Sequence, residues 1–123
     1  MALMALMTQR ENRQFAALAA RELTKALGHP MAPDTWRFRR SDGLVTIRLM
    51  SGATGNAWLA CRHSESDAPS PFTPTSGKCN LHPRRGDNLE LMLATHLSGL
   101  AEPDSYAHKA FSNIRFTNTL IAD

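Results

Sequence analysis

The sequence predicts an α+β domain: an antiparallel sheet of about four to five strands, in the order α-β-β-β-loop-α-β, with two main helices packed on one face. Three observations predict it. A capped apolar stripe at helical spacing fills residues 8–27, three alternating runs lie between residues 35 and 63, and a second capped stripe follows at 87–100. The 123 residues, 42% hydrophobic and 20% charged, suit one core. Two separate domains would each need metals or disulfides to hold together. Residues 8–123 are therefore read as a single domain preceded by a flexible or docking lead, residues 1–7.

In the first helix, Thr8-Gln9-Arg10-Glu11 has capping-box spacing, a hydroxyl for the third amide and a carboxylate to reach back. Phe15, Leu18, Ala19, Leu23, Ala26 and Leu27 fall on one stripe, with Arg10, Arg13, Glu22 and Lys25 on the solvated side. Gly28 supplies a left-handed terminus and Pro30 bars continuation.

Strands follow at residues 35–40, 44–50 and 57–63. The first two form a hairpin in which Trp36 and Phe38 alternate with Arg37 and Arg39. With Asp42-Gly43 as the turn, Phe38 faces Ile47, Trp36 faces Leu49, and Arg37 stands directly opposite Arg48. A like-charge pair in that position destabilises a sheet unless an anion neutralises it. Residues 51–56 form a Gly-containing link. Residues 64–78, with three prolines and four serines, form a long mobile loop. Residues 79–82 return to the sheet as a short extended piece. Asp87-Asn88-Leu89-Glu90 then caps a second helix whose stripe is Leu89, Met92, Leu93, His96, Leu97 and Leu100. A helical turn or two at 105–111 and a final alternating strand at 114–121 complete the chain.

The first five elements share their order with double-stranded-RNA-binding domains, in which basic residues begin the second helix, and Arg84-Arg85 occupy a comparable place. The chain resembles those domains in topology over about residues 8–100. It departs from them in its longer loop, its added strand and its lack of their lysine-rich signature.

Charge is unevenly placed. The whole chain carries +3, but residues 35–86 hold eight cations against three acids, a net of +5. Residues 87–123 hold two cations against five acids, a net of −3. Eleven of the fourteen cations are Arg, the residue suited to bidentate contact with phosphate or carboxylate. An Arg- and Ala-favouring codon usage accounts for the excess of Arg, but not for its position. No apolar run reaches the length of a membrane span. The apolar start lacks the basic flank and cleavage site of a secretory signal, so the expectation is a cytoplasmic protein whose Cys61 and Cys79 are thiols.

Three constellations bear chemistry. Arg37, Arg39, Arg48 and Arg62, with Lys78, Arg84 and Arg85, form the candidate nucleic-acid or anion site. If Leu59 and Cys61 point inward, Trp58 stands among these arginines as a cation–π or base-stacking group; otherwise it is core. The bland alternative is a solvated face whose Arg stems cover apolar surface. Secondly, Cys61-x-His63 with Cys79-x-x-His82 is a donor set of the type zinc takes. Against it stand a Pro-rich gap and a fold with no need of a metal staple, so Cys61 is read instead as a small buried hydrophobe. Thirdly, Ser76-Gly77-Lys78 and Arg84-Arg85-Gly86 precede the second helix, where amides attract anions, although an Asp87 cap competes for those amides.

Catalytic motifs are missing, and only a converging His63–His82 pair would supply an acid and a base. The sequence thus points to a small non-enzymatic protein that binds DNA or RNA through an Arg-rich sheet face. The alternative is an inhibitor or adaptor that uses this face on an acidic protein, and the third reading is a small nuclease or other hydrolase. A homodimer, formed across the sheet or through the Met-rich start, is compatible with either of the first two readings.

Overall fold

The computed structural model describes residues 7–52, 55–64, 80–84, 86 and 88–114. The elements are α1 (Gln9–Leu27), β1 (Thr35–Arg40), β2 (Gly43–Ser51), β3 (Ala57–Ser64), α2 (Leu89–Leu100) and α3 (Tyr106–Ser112). The α+β class stands. Among the described residues, however, the sheet has three antiparallel strands in the order β1-β2-β3, not four or five. The extended piece around Leu81 joins β3 through one bridge to Leu59. The expected last strand lies outside the described residues from position 115 onward, as do residues 1–6 and all but the first residue of the 64–78 loop.

The capping box of α1 forms as its spacing predicts: Glu11 N donates to Thr8 Oγ1 (3.1 Å) and Thr8 N to Glu11 Oε1 (2.8 Å). The buried face of α1 differs from the apolar stripe, because it includes Asn12 and Glu22. Asn12 Nδ2 donates to Thr8 O (3.0 Å), and its Oδ1 accepts from Ala57 N (2.9 Å), tying the start of α1 to the first amide of β3. Glu22, expected on the solvated side, is buried with Arg21 Nε at 3.1 Å and Lys25 Nζ at 3.9 Å. The two cations at the rim make its burial tolerable.

The hairpin register also differs from the expected one. Its partners are Arg40↔Gly43, Phe38↔Val45, Arg37↔Thr46, Trp36↔Ile47 and Thr35↔Arg48. The chain reverses over Ser41-Asp42, one residue earlier than Asp42-Gly43, and Gly43 takes a φ of +139° that a side chain would resist. Moving a turn by one residue moves every partner by two, so the side chains keep their faces. Arg37 and Arg48 share a face, as expected, but are diagonal rather than opposite.

The three helices among the described residues pack on the Trp36/Phe38 face. Trp36, Phe38, Val45, Ile47, Leu59 and Cys61 form one core with Phe15, Leu18 and Leu23 of α1, Leu93 and Leu97 of α2, and Phe111 of α3. Phe111 meets Phe38 edge to face, with ring centroids 5.8 Å apart. α2 is capped by Asn88, whose side chain accepts from Leu91 N at 3.0 Å, one residue later than the expected Asp87. Ser105 caps α3 through His108 N at 3.1 Å. No helix among the described residues is long and apolar enough to cross a membrane.

Because Asn12 satisfies a buried strand amide, Asn12→Ala is expected to cost about 1–3 kcal/mol. Urea unfolding measures it, and a change below a few tenths would show that the bridge contributes nothing.

Candidate nucleic-acid interface

With the odd-numbered positions of β3 in the core, the opposite face of the sheet is assembled from alternate residues of all three strands. β1 supplies Thr35, Arg37 and Arg39; β2 supplies Leu44, Thr46, Arg48 and Met50; β3 supplies Trp58, Ala60, Arg62 and Ser64. Four of these eleven are Arg and none is acidic. The register arranges them in rows. Arg37 and Arg62 flank Thr46 in one row, and Arg48 occupies the next, between Thr35 and Ala60. Arg37 and Arg62, two strands apart, are separated by roughly 10 Å at the backbone. Arg37, Arg39 and Arg48 are exposed and Arg62 is half-buried, whereas the short residues Thr46 and Ala60 among them are buried. Arg37 and Arg39 also border a surface depression of about 440 Å³ shared with Met31, Phe38 and Leu44.

Arg40 has the other fate. It points to the helical side, where Nη1 donates to Leu100 O at 2.7 Å, satisfying a C-terminal carbonyl of α2, and Nε pairs with Asp42 at 3.0 Å. Ser41 reinforces this corner, since its amide and hydroxyl both donate to the Glu102 carboxylate. The hairpin therefore separates its cations by parity: Arg40 is structural, and Arg37 and Arg39 face away from the helices.

Trp58 stands on the Arg face, the alternative in which Leu59 and Cys61 point inward. It is half-buried, and its ring stacks on His82, with centroids 4.8 Å apart and planes 17° from parallel. His82 is brought there by the Leu59–Leu81 bridge, whose two backbone hydrogen bonds are both 2.9 Å long. Sequence reasoning placed His82 among metal ligands or acid–base groups and missed this role. The extended character of 79–82 was the signal, but its neighbour across the sheet is set by the fold.

His63 lies on the opposite side of the sheet from His82. At the end of β3, its Nε2 is 3.3 Å from Asp42 Oδ1. Desolvation raises the pKa of the Asp42 carboxyl, but the Arg40 and His63 charges, together with hydrogen bonds from the backbone and from Arg40, hold it below the ordinary aspartate value. A shared acid–base pocket for His63 and His82 is thus ruled out by parity. The zinc set does not converge either. Cys61 is disulfide-bonded rather than a thiol, and no cluster of three metal-binding side chains occurs among the described residues. Cys79, the only other cysteine in the chain, lies outside the described residues. Cys61 N also donates to Asn80 Oδ1 at 3.0 Å, which brings position 80 beside Cys61. With Cys61 bonded, cysteine usage no longer points to a reducing compartment.

Lys78 and Arg85 of the candidate site fall outside the described residues. Arg84 is exposed two residues beyond His82. The start of α2 is poorly suited to an anion, because the Asn88 side chain takes an amide and Glu90, 2% exposed, puts a carboxylate in the first turn. Comparison with known proteins finds no family, no curated protein and no solved structure that matches this chain.

Two measurements follow from these contacts. Thiol titration of the folded protein without reductant should find no reactive thiol, and reduction should lower stability by about 2–4 kcal/mol, the usual contribution of a native disulfide. Separately, the Asp42 pairing stabilises the fold above the unfolded aspartate pKa and is lost as pH falls through the lower folded value. The stability difference between wild type and Asp42→Asn should shrink over about pH 5 to pH 2 in urea unfolding series; a constant difference would show that the pairing is idle.

Proposed function

We propose that this chain is a small nucleic-acid-binding domain that holds the phosphate backbone on the face of its sheet opposite the Trp36/Phe38 core. The observation that carries the reading is the placement of Arg37, Arg39, Arg48 and Arg62 on one face whose strand positions include no acid. Guanidinium groups suit phosphate oxygens, and a row spacing of several ångströms lets neighbouring arginines engage different phosphates of one strand. Binding is preferred to catalysis because the two histidines that would have formed an acid–base pair lie on opposite sides of the sheet.

Fluorescence anisotropy with short DNA and RNA oligonucleotides tests this. Affinity should fall steeply between 50 and 200 mM salt, as it does when several phosphates are neutralised. Arg37→Ala and Arg48→Ala should each weaken binding and shallow the log–log salt slope by about 0.7–0.9 per lost phosphate contact. Arg13→Ala, on the exposed side of α1, should leave both unchanged. No binding of either nucleic acid at low salt would overturn the reading and direct attention to an acidic protein as the ligand of the same face.

A further inference from the structure

The Arg face contains one feature that phosphate binding does not require, the Trp58–His82 stack. One side of the His82 ring lies on Trp58, yet His82 as a residue remains exposed. Its position is held from three directions. Leu81, immediately before it, exchanges two backbone hydrogen bonds with Leu59, and Asn80 accepts from Cys61 N. Pro83, immediately after it, restricts His82 to extended backbone. A ring fixed in this way loses little conformational freedom when a ligand stacks on it. The arginines continue from the stack in register: Arg48 pairs with Ala60, two residues along β3 from Trp58, and Arg62 lies two residues further on the same side. At roughly 3.3 Å per residue, these stand about 7 and 13 Å from Trp58 along the strand.

Resting on the proposed function, we infer that the ligand is single-stranded and that one of its bases stacks on the outer face of His82, extending the Trp58–His82 pair to three rings. Arg48 and Arg62 then follow the backbone of the adjoining nucleotides. A base within a duplex already has neighbours on both faces and cannot present one to a ring on a flat sheet, whereas an unpaired base can. Aromatic stacking of this kind is tolerant of base identity, because every base has a π-face. The expected ligand class is accordingly single-stranded nucleic acid with little sequence preference.

The experiment compares three probes of equal length at one low salt concentration: oligo-dT, an abasic oligodeoxynucleotide with the same number of phosphates, and a blunt duplex. Oligo-dT should bind about 5- to 150-fold more tightly than the abasic strand, the factor expected for one stacked base. His82→Ala should remove that preference while leaving abasic binding unchanged, and His82→Phe, which keeps a planar ring, should restore it. Circular dichroism of each variant confirms that the fold is retained. Equal affinity for oligo-dT and the abasic strand, or a preference for the duplex, would overturn the inference while leaving phosphate binding by the Arg face intact. Failure of all three probes to bind would instead overturn the proposed function beneath it.

Discussion

The reversal over Ser41-Asp42 is the constraint on which the rest of the molecule depends. It sets the β1–β2 register, and the register determines which side chains reach the helices and which reach solvent. The corner is held to the helical layer by charge-assisted bonds: Arg40 closes an open carbonyl of α2, and Glu102 accepts from Ser41. These contacts sit at the C-terminal end of α2, where a cation is favoured by the helix dipole. A hairpin anchored at its tip in this way cannot slide without breaking bonds between segments about sixty residues apart. The alternating Trp and Arg of β1 thereby become a core row and a cation row.

Much of this was legible because local patterns survive errors of register. The Thr8/Glu11 capping box, the helical stripe of α1 and the two-sided character of β1 are decided by neighbours within four residues, and all three are present in the structure. Placing the turn one residue late put Arg37 opposite Arg48, but parity kept both on the same face. What the sequence could not supply was contact between distant segments. The buried Asn12 looks like an ordinary polar residue until Ala57 N is seen to need its oxygen. Glu22 looks solvated until the turn of α1 carries it inward. Cys61 and His82 look like metal ligands by spacing, but in the fold Cys61 is disulfide-bonded and His82, carried to β3 by the Leu59–Leu81 bridge, stacks on Trp58.

The Arg face also illustrates how a sheet accommodates like charges. Direct cross-strand opposition of two guanidinium groups is avoided in every row: Thr46 separates Arg37 from Arg62, and Arg48 faces Thr35 and Ala60. Diagonal neighbours are further apart than direct partners. The repulsion between them is reduced accordingly. The charges are spread over three rows of the sheet rather than gathered at one point.

The Leu59–Leu81 and Cys61–Asn80 hydrogen bonds have a consequence for how the chain can vary. They fix the end of β3 and the return at Asn80 to each other. Lengthening a segment whose ends are already fixed costs only about 0.6 kcal/mol for each doubling. A change in the number of residues joining Ser64 to Asn80 therefore alters the closure cost by little, and the pairing of Leu81 with Leu59 keeps its place.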